Sequence, residues 1–172
     1  MRSSLKNLIF SAIMLAAALL LPLLTANIQQ LGNMLCPMHI PVFICGFICG
    51  WKWGLGVGAL APILRFAIFG MPPIFPTGAA MALELAAYAA AAALIYSALP
   101  KKPWAIYVSL ICAMIAGRIV WGAIYSVFTS LAGIEFTFAM YLAAAFVNAL
   151  PGMALHIAII PPIVLALRKI SA

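Results

Sequence analysis

From Asn7 to Trp51 the chain carries no aspartate, glutamate, lysine or arginine, and further uncharged runs fill most of the remaining sequence. A soluble domain needs about a quarter of its residues charged to cover its surface. Here 6% of 172 residues are charged and 68% are hydrophobic, so the solvent of this chain is lipid. The formal net charge of +7 does not indicate nucleic acid as a partner. The basic residues stand singly or in pairs at the ends of apolar runs, and no Lys/Arg block with interleaved aromatics forms a phosphate-tracking groove.

Crossing ~30 Å of hydrocarbon takes about 20 apolar residues in a helix. The sequence on this measure predicts a first helix over Leu5 to Thr25, ended by "TANIQQLGN", and a short second one over Met38 to Gly50. A third runs from Lys52 to Phe69 and is broken by "GMPPIFPTG"; a fourth runs from Thr77 to Leu99 and ends at "PKKP". The fifth covers Trp104 to Leu131 and the sixth Phe136 to Leu167. The expected fold class is an all-α membrane protein, a six-transmembrane-helix bundle over residues 1–172 as a single membrane domain. Arg2 and Lys6 ahead of the first apolar run imitate a signal peptide. The run is nearer a full span than the apolar core of a cleaved signal, and it reads as a retained helix.

Charge sets the expected orientation. Of the nine basic residues, all but Arg65 and Arg118 fall in the N-terminus, the second and fourth connections or the C-terminus. The first, third and fifth connections hold none. The positive-inside rule then places both termini in the cytoplasm.

Ionisable groups within spans cost at least ~2.5 kcal/mol each and normally face one another or a cavity. The candidates are Arg65, Glu84 and Arg118, with His39, Asn148 and His156 as polar companions. At ~1.5 Å per residue, Arg65 lies about four residues from the outer end of its helix and Glu84 about seven. Arg118 and Asn148 lie about a dozen residues down, and His39 stands at the outer start of the second helix. These depths converge on a pocket opening outward. A bland alternative pairs Glu84 with Arg118 across a helix contact, snorkels Arg65 to the interface, and leaves His156, nearer the inner leaflet, as a core histidine. Glu135 reads as a solvated loop residue. Trp121 and Tyr125, at i+3 and i+7 from Arg118, share its helix face; Phe75 lies in the third connection, and Tyr88 and Tyr141 lie near the cluster.

Catalysis and metal binding find little support. HExxH, GxSxG and P-loop patterns are absent. Cys36 and His39 are three apart without a neighbouring acid to orient the imidazole, a weak nucleophile signal. Cys45 and Cys49, one turn apart beside Gly46 and Gly50, read as packing residues rather than metal ligands. No catalytic residue and no cofactor is assigned to this chain.

In order, "PMHIPV" (37–42), "GMPPIFPT" (70–77), "ELAAY" (84–88), "GRIVWG" (117–122) and "NALPG" (148–152), set in six helices with a short second one, resemble the substrate-binding S components of energy-coupling-factor (ECF) vitamin transporters. The resemblance covers essentially the whole chain. It implies capture of a small water-soluble vitamin from outside, and as partners a transmembrane coupling protein and two cytoplasmic ATPases that consume the ATP. It also implies that the first helix docks through an alanine-x-x-x-alanine stripe, matched by Ala12 and Ala16, whose small side chains let another helix approach closely. Carried onto this chain, the substrate site takes Glu84, Arg118, Trp121, Tyr125 and Asn148, with Asn33, His39 and Phe75 near the cap and Arg65 less firmly placed. A carboxylate ligand such as pantothenate would suit Arg118. A pyridoxine or pyridoxamine class ligand would suit Glu84, an aromatic for stacking and Asn148, and is the substrate expected. An autonomous proton-coupled carrier using Glu84 is the alternative from another class.

Overall fold

In hydrocarbon a backbone amide finds no water, so each segment must satisfy its own N–H and C=O groups, and a helix does this within one segment. The computed structural model describes residues 2–25 and 35–171, and among these no strand occurs. Helix α1 spans Arg2–Leu20. Pro22 lacks the amide that would continue it, and the chain tightens into a 3-10 turn over Leu21–Thr25. Helix α2 spans His39–Cys49. Pro41 falls in its first turn, where a missing N–H costs nothing, whereas Pro37, expected to start the helix, lies just before it and accepts from Ile40 N.

A one-residue corner separates α2 from α3, Trp51–Phe69. That corner is Gly50 at φ 90°, a left-handed conformation open to glycine and strained for other residues. Helix α3 stops at Gly70, whose N–H returns to Phe66 O. The prolines of "MPPIFPTG" prevent an immediate restart. A kinked turn at Ile74–Gly78, with Phe75 in extended conformation, leads into α4, Ala79–Ala98. Pro103 occupies the first turn of α5, Pro103–Leu131. Thr137 caps α6, Phe138–Leu142, accepting from Met140 N. A widened turn at Ala143–Val147 carries the chain into α7, Leu150–Ser171.

Among the described residues, five stretches are long and apolar enough to cross a membrane: Ser4–Leu23, Trp51–Phe69, Ile74–Ala98, Pro103–Leu131 and Phe138–Lys169. Helix α2, read from the sequence as the short second of six spans, is shorter than these five and occupies a different environment. It packs against α1, α3, α4 and α7, and nearly all of its residues are buried. A helix apolar all round belongs in a core, and α2 is the core of this bundle.

The contacts also order the two ends. Cys49 at the end of α2 lies by Asn7 O of α1. Arg168 of α7 donates to Tyr96 Oη of α4 and to Phe47 O of α2. The beginning of α1 and the end of α7 therefore share one end of the bundle, together with Lys101, whose ammonium caps Tyr96 O. The opposite end gathers the start of α2, the end of α3, and Phe75 packed on Phe128. Where α2, α3 and α4 cross, Gly46, Gly54 and Gly58 bring backbones into direct contact with Ala89 and Leu85.

Candidate functional site

Polar side chains inside an apolar bundle must find partners, and the strongest set forms around α4 and α5. Arg118 Nη1 lies 3.0 Å from Glu84 Oε1. Tyr88, one turn after Glu84 on the same helix face, donates its hydroxyl to the same oxygen at 2.9 Å. Glu84 is 2% exposed and Arg118 8%. Gly117 makes the assembly possible: a Cβ there would collide with the Tyr88 ring, so only glycine lets that ring lie against α5 beside the ion pair.

The segment before α2 reaches the same place. Cys36 takes a left-handed backbone at φ 45°. Its sulfur lies 4.0 Å from Arg118 Nη2, and its carbonyl accepts from His156 Nε2 at 3.2 Å and from His39 N at 3.0 Å. The His39 ring stacks on His156 with centroids 5.7 Å apart and meets the Tyr88 ring edge-on at 5.3 Å. Phe43 closes the group against Tyr88 at 5.0 Å. His39 is 2% exposed, and although its ring has the Cys36 backbone as a polar neighbour, neither ring nitrogen makes a well-formed hydrogen bond among the described residues, nor does Arg118 Nε. Leaving a buried polar group unpaired costs about 1–3 kcal/mol.

A second, aromatic layer lies on the side of α5 facing α6. Trp121 stacks on Tyr125 at 4.9 Å and on Tyr141 at 6.3 Å, and Phe136 stands edge-on to both Trp121 and Tyr125. The Tyr141 hydroxyl donates to Arg118 O at 3.3 Å, joining this layer to the ion pair. Gly122 again leaves the room, since its Cβ would overlap the Tyr141 ring.

Of the residues expected from sequence, Glu84, Arg118 and His39 come together, and Trp121 and Tyr125 adjoin them. Asn33 lies outside the described residues. Asn148 is exposed, and none of the hydrogen bonds among the described residues involves its side chain. Phe75 is half-exposed and packs on Phe128. Arg65 is engaged elsewhere: its Nη1 donates to Leu19 O at 3.0 Å, and its guanidinium lies over Phe69. It caps the end of α1, where the last carbonyls lack intrahelical partners. Arg65→Met is therefore expected to lower the melting temperature by a few degrees, from loss of a charged hydrogen bond of about 1.5–3 kcal/mol. Ligand affinity should stay within about twofold of wild type, checked by thermal unfolding and calorimetry in detergent.

Tyr88, Cys36, Gly117 and His156 are the members to which the sequence gives least weight. Counting residues down one continuous helix places His156 toward the far leaflet. The broken turn at Ala143–Val147 consumes that length, so His156 lies little more than a turn and a half into α7 and reaches His39. Tyr88 is detectable from its i, i+4 spacing with Glu84. Among the described residues no group of three or more His, Cys, Asp or Glu side chains is placed to hold a metal ion. The arrangement is suited to binding: a carboxylate and a guanidinium already paired, spare N–H groups beside them, and an aromatic wall.

Comparison with known families matches residues 6–164 to the model described as ECF transporter, substrate-specific component. No curated protein and no solved structure matches the chain. With nearly its whole length matched and its long apolar helices gathered in one bundle, this multi-pass membrane protein belongs to the family of substrate-specific components of ECF transporters.

Proposed function

We propose that the chain captures a small water-soluble vitamin of the pyridoxine or pyridoxamine class in a pocket that opens to the outside between the aromatic layer and the Glu84–Arg118 pair. The single observation that carries this reading is the buried carboxylate of Glu84, held by Arg118 and Tyr88 beside the stacked rings of Trp121 and Tyr125. A ring nitrogen or amine would be received by Glu84 and an aromatic ring by the stack. In this reading all six helices count as spans and both termini are cytoplasmic, which puts the lysine-bearing end of the bundle inside, as basic residues prefer. The chain works as a transporter subunit without an ATPase site of its own. A transmembrane coupling protein and two cytoplasmic ATPases supply the ATP-driven step, and Ala12 and Ala16, both on the exposed side of α1, are the docking stripe.

The test is mass spectrometry of small molecules released from gently purified protein. The expected result is one vitamin carrying a pyridine ring, bound without ATP. Recovery of pantothenate instead would move the substrate to the carboxylate class, favoured by Arg118. Uptake by vesicles that contain this chain alone, driven by a pH gradient, would replace the reading with an autonomous proton-coupled carrier.

A further inference from the structure

Four buried side-chain nitrogens lack a hydrogen-bond partner among the described residues, and three of them belong to one cluster: His39 Nδ1, His39 Nε2 and Arg118 Nε. The fourth, on Arg168, lies at the other end of the bundle. The three share a connected neighbourhood. His39 abuts Tyr88, Tyr88 donates to Glu84, and Glu84 pairs with Arg118. His39 has no ready escape to solvent. It begins the central helix, its backbone N–H is bonded to Cys36 O, and its ring is fixed between Tyr88 and His156. An imidazole packed this tightly, with the Cys36 backbone beside it but no well-formed hydrogen bond at either nitrogen, is a binding group that lacks its full counterpart.

We infer that the counterpart is the substrate, and that within the proposed class it is the net uncharged, hydroxyl-bearing member rather than the amine, with its hydroxyl groups bonded to His39 and the free edge of Arg118. The inference rests on the reading of this cluster as the substrate site. A neutral imidazole offers one donor and one acceptor, and guanidinium Nε offers a donor. A hydroxyl both donates and accepts, so it can answer each of these atoms, whereas an ether or an ammonium answers only one kind. Charge decides the rest. Glu84 and Arg118 are the cluster's two formal charges and they cancel. A ligand with a net charge would bring an uncompensated ion against a pair that is already neutral and largely buried. His39 is then the residue that reads the hydroxyl, while Glu84 and Arg118 set the net charge the site accepts.

The test uses the full-length protein in detergent, freed of bound ligand, and calorimetry with three probes: pyridoxine (uncharged overall, hydroxylated), pantothenate (an anion) and thiamine (a cation). Pyridoxine is expected to bind most tightly. Tighter binding of pantothenate or thiamine overturns the charge inference and leaves vitamin capture standing; binding of none of the three overturns both. His39→Phe should keep or raise the melting temperature, because an unpaired polar ring is replaced by an apolar one, and should weaken pyridoxine about tenfold or more. His39→Gln, which keeps a donor and an acceptor, should recover part of that loss. Wild-type affinity in His39→Phe overturns the assignment. On unmodified protein, at least one of the three deoxy analogues of pyridoxine, each lacking one hydroxyl, should bind about tenfold more weakly. Equal binding of all of them overturns the hydroxyl reading whatever the variants do.

Discussion

Replacing Arg118 with alanine is expected to abolish ligand binding and to destabilise the protein by about 3–5 kcal/mol, the cost of leaving one partner of a buried pair unpaired. Glu84 is 2% exposed, so its charge would be left with the Tyr88 hydroxyl as its remaining neighbouring donor. Two contacts beyond the pair would be lost with the guanidinium: its approach to Cys36, and the filling of the space between α5 and the segment leading into α2. The double variant Arg118→Met, Glu84→Gln separates stability from function. With both charges gone it should melt above Arg118→Ala, because a pair replaced by uncharged groups of similar volume loses little. It should still fail to bind. Thermal unfolding and calorimetry on the same samples check both halves. If Arg118→Ala melts and binds like wild type, the pair is neither the site nor a structural element.

The helices are legible in the sequence because lysines, glycines and prolines punctuate the apolar runs. The third helix, expected from Lys52, begins at Trp51; the fifth, expected from Trp104, begins at Pro103. Less legible is the break within the last span. In "LAAAFVNALPG" the apolar residues continue through the turn, and Asn148 and Pro151 are compatible with either a straight or a broken helix. The same limit governs the site. Depth along a helix comes from counting, and it puts Glu84 and Arg118 at levels close enough for them to meet. The angle around the helix axis cannot be counted when a helix is apolar on every face, as α4 is with its run of alanines. Arg65 and Asn148 have the depth of the cluster and point elsewhere for that reason. An intramembrane carboxylate is nonetheless findable, since in lipid it must meet a cation or a donor.

Gly58→Val in α3 and Gly46→Val in α2 are expected to prevent stable assembly, because the atoms they would strike belong to backbone. A Cβ at Gly58 would lie 2.6 Å from the carbonyl carbon and oxygen of Leu85, and one at Gly46 would lie 2.6 Å from Ala89 O. A side chain in the way can rotate; a helix backbone must move as a body. Overpacking a core costs about 1–3 kcal/mol where side chains can adjust, and the cost here should exceed that range. In lipid no hydrophobic force pushes helices back together, so their association rests on the close packing these glycines permit. In the proposed site α2 carries His39 and α4 carries Glu84 and Tyr88, so the effect is expected to extend to binding. Gly117→Ala should behave differently: its Cβ meets the Tyr88 ring, which can yield, at the expense of the bond to Glu84. Gly56→Ala, with nothing within 4 Å of the added carbon, should be neutral or stabilise by up to about 0.5–1 kcal/mol. Size-exclusion profiles and melting temperatures in detergent read this order directly. If Gly58→Val melts like Gly56→Ala, the three-helix crossing that holds the site in register is not built on backbone contact.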